Sequence, residues 1–190
     1  MSEGGSLVIP HGIVWITGFA GAGKTTLSKA VLERLTPLHS RVIRLDGDDI
    51  REEITSYFAW GYDLAGRQSN AWLIARMAAY LARRDMLVVV ATVSLYQEVR
   101  AWLRASEPGY REVYVRVKPE TLQSRNVKGI YSAAQSDASV PVVGVTAHAE
   151  LPVDPDLVLD NDSNCAEWAS VVTDVLRLLD PDWRRSTASE

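Results

Sequence analysis

The chain is poor in the residues that staple or cage small proteins: its 190 residues include one cysteine, Cys165, and three histidines. A single cysteine excludes an internal disulfide and a thiolate metal cluster, and Cys165 is expected to be a buried, inert thiol. The histidines, His11, His39 and His148, stand apart from one another and from any second ligand, so they are assigned no metal or acid–base role. Positive charge is scarce too. Twenty Lys and Arg face 24 Asp and Glu, and the net charge of −4 lacks the basic footprint of a nucleic-acid binder. Long apolar runs are missing: the longest, Met86 to Ala91, suits a strand and falls far short of a membrane span. The opening MSEGGSLVIPHG has neither the basic region nor the cleavage site of a signal peptide. The expected setting is therefore cytoplasmic, with no membrane partner.

What is present is alternation. Apolar, strand-like runs recur at Ile13–Thr17, Arg41–Leu45, Leu87–Ala91, Glu112–Val117 and Leu157–Leu159, separated by segments that read as helix. The clearest helix is predicted over Asn70–Arg84, with Leu73, Met77, Tyr80 and Leu81 as its core-facing stripe. Such alternation implies parallel strands joined by crossover helices, hence a three-layer α/β domain with a mainly parallel five-stranded sheet and ligands beyond its C-terminal edge. One domain is expected over residues 1–190, with 1–12 and 184–190 disordered. The Ala-, Ser-, Val- and Pro-rich stretch Ser132 to Pro155 breaks the rhythm, and a mobile lid is expected over 125–155.

The first strand runs into GFAGAGKTT, where Gly18, Gly23, Lys24 and Thr25 satisfy G-x-x-x-x-G-K-[ST], and the helix-forming TTLSKAVLERL follows. Glycines allow successive backbone N–H groups to converge on an anion at a helix N-terminus, so Gly18, Gly21, Ala22 and Gly23 are expected to wrap the polyphosphate of ATP. Lys24 is expected to reach the β- and γ-phosphates, Thr25 to ligate Mg2+, and Thr26 to contact a phosphate or begin the helix.

The carboxylates choose among P-loop chemistries. No guanine-reading N-K-x-D segment occurs, and the run Leu87–Ala91 ends in Thr92-Val93-Ser94 rather than in the acid of a motor ATPase. Instead Asp46, Asp48 and Asp49 cluster in VIRLDGDDIREEI, delivered to the sheet edge that carries the P-loop. Asp46 and Asp48, spaced across one glycine, suit organising magnesium and accepting a proton from an attacking hydroxyl. Asp49 is expected to cap a helix over Ile50–Tyr57.

In these residues the chain resembles the adenylylsulfate kinases, P-loop kinases that phosphorylate the ribose 3'-hydroxyl of adenylyl sulfate with MgATP. GFAGAGKTTL is similar to the family's G-L-S-G-A-G-K-S-T-L, LDGDDIR to L-D-G-D-N-I-R, GYDLAGRQSN to G-F-S-x-x-D-R-x-x-N, and EVYVRVKPETLQSRNVKGIYSAA to the family's E-V-Y-V segment ending in D-P-K-G-L-Y; VVGV stands where F-T-G-I-D falls. The matches run in order from residue 13 to about 160. The resemblance implies magnesium and general-base work for Asp46 and Asp48. It gives the anionic acceptor to Arg51 and Arg67, a hydrogen bond in that pocket to Asn70, and a base-stacking ring to Tyr62. Arg125 and Lys128 would cover ATP from the lid. Val93 and Ser94 match the segment I-S-P-Y beside the acceptor, where Ser94 is either structural or catalytic. A homodimer is a further implication of the family.

Departures bear on the acceptor. Two arginines of the family's D-R-x-E-N-I-R-R become Trp72 and Leu73, which removes positive charge from a helix beside the acceptor and leaves Trp72 as a candidate pocket wall. Val142 replaces the second stacking aromatic, Asn126 an aspartate of the lid, and Thr146 the Asp of F-T-G-I-D. The remaining tryptophans read as packing residues. The pattern also resembles diverged relatives acting on cytidine diphosphoramidate, a small nucleotide with a less charged terminus. Two alternatives stand beside these: a kinase for a non-nucleotide alcohol such as a sugar, and a nucleotide-binding regulatory pseudo-kinase without turnover.

Overall fold

The computed structural model describes residues 11–58, 60–61, 63–136, 142–144, 149–163 and 168–179. Five parallel strands form one sheet: β1 (Gly12–Thr17), β2 (Val42–Asp46), β3 (Leu87–Thr92), β4 (Tyr110–Arg116) and β5 (Leu157–Asp160), in the order β2-β3-β1-β4-β5. All five predicted strands are found within two residues of their predicted ends. β1 starts at Gly12, whose amide donates to the Met86 carbonyl at 3.2 Å, so the ordered fold reaches into the N-terminal segment expected to fray. The C-terminal residues 184–190 lie outside the described residues.

The helices are α1 (Lys24–Leu35), α2 (Gly47–Glu53), α3 (Leu64–Ala82), α4 (Gln97–Ser106), α5 (Pro119–Arg125), α6 (Ile130–Ser136) and α7 (Trp168–Arg177). Strand alternation sorts the core into two faces. Val14 and Ile16 of β1 and Leu87 and Val89 of β3 pack with Leu27, Val31, Val172 and Val175 of α1 and α7. Ile13 and Trp15, with Val88 and Val90, face the opposite side, against Ile74, Ala75 and Ala78 of α3 and Val99 and Leu103 of α4. Both central strands are buried along their whole length, as expected for a sheet covered on both faces.

Two helix expectations are corrected. α3 starts at Leu64, six residues before the predicted start, and Asp63 caps it by accepting the Gly66 amide at 2.8 Å. Its buried face is Ala71, Ile74, Ala75, Ala78, Ala79 and Ala82; Leu73, Met77 and Leu81 flank it, and Tyr80 is 56% exposed beneath the Arg84 guanidinium. Small side chains let the helix lie close to a sheet that presents the fully buried Trp15, so bulk did not mark the core here. The second correction concerns the acidic turn. Asp46, not Asp49, caps α2 by accepting the Asp48 amide at 3.1 Å, and the helix ends at Glu53, before a 3-10 turn over Thr55–Phe58.

The pairings Thr17↔Thr92 and Asp46↔Ala91 align the ends of β1, β2 and β3, so the loops that follow leave from one edge. The expected lid runs through the end of α5, a 3-10 turn over Val127–Gly129 and α6; residues 137–141 and 145–148 lie outside the described residues. Among the described residues no helix is long and apolar enough to cross a membrane.

Candidate active site

At that edge lies a cleft of about 1050 Å³. Its wall includes the P-loop residues Gly21, Gly23, Lys24, Thr25 and Thr26. Gly21 and Gly23 adopt φ of +79° and +102°, the left-handed region that glycine reaches without steric cost. Four consecutive carbonyls of the loop are each held by a different side chain. Lys24 Nζ donates to Phe19 at 2.8 Å and the Tyr131 hydroxyl to Ala20 at 2.7 Å; Arg125 Nη1 donates to Gly21 at 3.1 Å and Asn161 Nδ2 to Ala22 at 2.8 Å. With these acceptors engaged by its own lysine, by α5 and α6, and by the residue after β5, the loop can offer an anion backbone N–H groups other than that of Ala22, which donates to the Phe19 carbonyl at 3.1 Å. Gly18 and Ala22 support the loop without lining the cleft: a Cβ on Gly18 would lie 2.4 Å from the Val115 carbonyl, and Ala22 is fully buried.

Lys24 is buried, and desolvation lowers its pKa from the ordinary 10.5 to about 8, opposed by the nearby negative charges of Asp48 and Asp46. Asp46, Asp48 and Gly47 line the adjoining wall. Asp46 is densely engaged: Oδ2 accepts from Thr25 Oγ1 at 2.9 Å and from Arg44 Nη1 at 2.6 Å, while Oδ1 caps α2. The donor set fits a magnesium ion brought by a nucleotide. The Thr25 proton is given to Asp46, which leaves the hydroxyl oxygen able to accept a cation, and Asp48 adds a carboxylate. Among the described residues no group of three or more His, Cys, Asp or Glu forms a metal cage.

The same cleft is also lined by Arg51, Arg67, Asn70, Val93, Ser94, Leu95 and Tyr96, and by Val142 and Val143, of which Val142 packs in the core cluster that holds Ala22 and Tyr131. Arg51 Nη1 donates to the Gly61 carbonyl at 3.2 Å. Asn70 and Ser94 are each 6% exposed, and Asn70 Oδ1 and Ser94 Oγ have no hydrogen-bond partner among the described residues. Burial raises the Tyr96 phenol pKa against the pull of the Arg67 and Arg51 guanidiniums.

Most residues named from sequence thus meet around one cleft. Trp72 does not line it: its indole packs edge-on against Trp102 and donates to Glu98 Oε1 at 3.4 Å. Leu73 is likewise no part of the lining. Tyr62 and the side chain of Lys128 lie outside the described residues, as do Cys165 and His148. Sequence reasoning missed Arg44, Tyr96, Tyr131, Asn161 and Trp168. Asn161 and Trp168 flank Gly23, where a Cβ would lie 2.7 Å from Asn161 Nδ2 and 3.3 Å from the Trp168 ring. A polar residue directly after β5, at the edge that carries the P-loop, was the available signal for Asn161.

Comparison with known proteins agrees with this arrangement. The family model described as adenylylsulphate kinase matches residues 11–160. A cytidine diphosphoramidate kinase of Campylobacter jejuni is 36% identical over 149 residues, covering 78% of this chain and 85% of its own. An adenylyl-sulfate kinase of Deinococcus deserti is 37% identical over 150 residues, covering 79% and 82%. Among solved structures, the Mycobacterium tuberculosis APS kinase in complex with AMPPNP and APS superposes with a TM-score of 0.77 at 28% identity, over 88% of this chain and 98% of that one. With the P-loop, the paired aspartates and the three-layer sheet in place, the chain is a P-loop kinase and belongs to the adenylylsulfate kinase family.

Proposed function

We propose that the chain transfers the γ-phosphoryl group of ATP to the ribose 3'-hydroxyl of a small nucleotide with a modified phosphate. The observation that carries this is that one cleft is lined by the P-loop, by Asp46 and Asp48, and by Arg51, Arg67 and Asn70, with Asp48 close enough to Lys24 to act on its charge. In this reading the P-loop amides and Lys24 hold the triphosphate, Arg125 lies beside the donor, and Arg51, Arg67 and Asn70 hold the acceptor. Arginine suits the acceptor because its planar fork binds phosphate bidentately and stays charged. The Asp48 carboxylate orients the hydroxyl and takes its proton as the oxygen bonds to the γ-phosphorus and the bond to the β–γ bridging oxygen breaks, releasing ADP. Magnesium, held by Thr25 and Asp48 with Asp46 behind them, would neutralise charge on the phosphates.

For the acceptor, adenylyl sulfate is the first reading and cytidine diphosphoramidate the second. Val142 favours the second: it stands in the cleft lining where the resemblance places an aromatic ring, and loss of that ring costs a purine, with its larger face, more stacking than a pyrimidine. Trp72 and Leu73 lend it no support, since they stand off the cleft. Release of ADP should be followed with each acceptor and with none. Stimulation by one nucleotide over the other identifies it, stimulation only by a sugar rejects the nucleotide reading, and no stimulation by any acceptor favours a pseudo-kinase.

A further inference from the structure

Arg44 has no part in the reaction as described, yet it touches the carboxylate nearest the P-loop threonine. It stands two residues before the end of β2, with its side chain 16% exposed. Its fork is divided between two acids: Nη1 lies 2.6 Å from Asp46 Oδ2, and Nη2 lies 2.8 Å from Asp49 Oδ2. The same Asp46 Oδ2 accepts the Thr25 hydroxyl at 2.9 Å, and Oδ1 accepts the Asp48 amide at 3.1 Å. Asp46 therefore receives three donors, one of them a full positive charge. The partner is more sheltered still, with the Asp46 side chain 7% exposed, so bulk water screens the pair little.

We propose that Arg44 is a positioning residue that sets how strongly the donor site depends on a divalent cation. Its guanidinium, shared with Asp49, offsets part of the Asp46 charge and holds that carboxylate as a clamp on the Thr25 hydroxyl. A nucleotide arriving without metal then meets Lys24 and an Asp46 whose charge is partly offset. This inference rests on the P-loop being the ATP site, as proposed above. Removing Arg44 returns the full charge of Asp46 to the wall beside the phosphates, which repels a bare polyphosphate and attracts a magnesium ion.

Binding, not turnover, separates the possibilities. The dissociation constant of ADP should be measured by calorimetry in magnesium and in excess EDTA, for the wild type, Arg44→Met and Arg44→Lys. Wild-type protein is expected to bind ADP in both. Arg44→Met should lose about three- to tenfold in EDTA and less in magnesium, so that the ratio of the two constants widens. Arg44→Lys, which keeps the charge, should stay near the wild-type ratio. A ratio unchanged in Arg44→Met, with both affinities lowered alike, would mean that Arg44 only braces the fold and would overturn the proposal. Asp46→Asn offers an independent arm if Arg44→Met does not fold: neutralising the carboxylate from the other side should narrow the ratio, and an unaltered ratio again overturns the idea. Wild-type protein that binds no ADP removes the donor-site reading and this inference with it.

Discussion

The Tyr131 hydroxyl donates to the Ala20 carbonyl across 2.7 Å, joining α6 to the middle of the P-loop over 111 positions of sequence. Tyr131 is 4% exposed, so its ring packs in the core whether or not the hydroxyl is present. Tyr131→Phe thus removes one restraint on the loop with little change in packing. A single hydrogen bond of this kind contributes about 1 kcal/mol, so the KM for ATP should rise roughly three- to tenfold while the acceptor KM stays within about twofold. Initial-rate measurements with each substrate varied in turn check this; an acceptor effect as large as the ATP effect would show that the contact does not act through the P-loop.

Lys24 gives the donor site a pH signature. Its pKa is lowered to about 8 by burial, whereas in the unfolded chain it returns to the ordinary 10.5. Below pH 8 both states carry the proton. Between about 8 and 10.5 the unfolded chain holds more protons than the folded one, so Lys24 alone makes the unliganded protein gain stability as pH rises through that window. A polyphosphate reverses the preference by favouring the ammonium form. Binding of ADP at pH 8.5 to 9 should therefore take up a proton, and at pH 7 it should not. Calorimetry in buffers of different ionisation enthalpy reads the uptake directly, and Lys24→Met should abolish it.

How far the sequence carried depends on what kind of signal each part emits. The strands were legible because β1 and β3 are buried on both faces and read as continuous apolar runs. The P-loop was legible because its chemistry needs fixed residues at fixed spacing. The core face of α3 was misread: Ala71, Ala75, Ala78, Ala79 and Ala82 bury little area each, and periodicity weighted by bulk pointed to Tyr80 instead. The side chains that hold the loop carbonyls, Tyr131 and Asn161, were invisible for another reason. They reach Ala20 and Ala22 from 111 and 139 positions away, a relation set by tertiary packing that no local spacing encodes. Trp72 shows the opposite error, a residue placed in the acceptor pocket by its neighbours in sequence and turned away by the helix period.

A buried ion-pair network reaches the cleft wall at Ser94, whose carbonyl accepts from Arg100 Nη1 at 3.4 Å. Arg100 is 2% exposed; its Nε lies 2.9 Å from Glu112 Oε1, and its Nη2 donates to Gln97 at 2.9 Å and to the Glu150 carbonyl at 2.7 Å. Burial raises the Glu112 carboxyl pKa, and the charges of Arg100 and Arg104 oppose that shift. Arg100→Met leaves Glu112 buried with Arg104 as its remaining cation, and it should destabilise the fold by less than a buried charge left with no partner does, which is about 3 to 5 kcal/mol. The double variant Arg100→Met, Glu112→Leu should recover part of that loss, because no charge is then stranded. Urea unfolding of the two variants tests the pair; equal stability would show that the cost lies in packing around Arg100 and not in the under-compensated carboxylate.

Ser94 and Asn70 set stability against recognition. Both are buried in the cleft wall, and the Ser94 hydroxyl and Asn70 Oδ1 have no hydrogen-bond partner among the described residues. A desolvated polar group that makes no bond opposes folding, so deleting it should cost the unliganded protein nothing. Ser94→Ala is the cleaner variant, since it removes the hydroxyl and leaves the Cβ in place. Its Tm is expected to equal or exceed that of the wild type. If the hydroxyl is kept for the acceptor, the acceptor KM should rise about five- to tenfold and the ATP KM should not move. A fall in Tm with unchanged acceptor KM would make Ser94 a structural residue at the end of β3 and leave acceptor recognition to Asn70 and the two arginines.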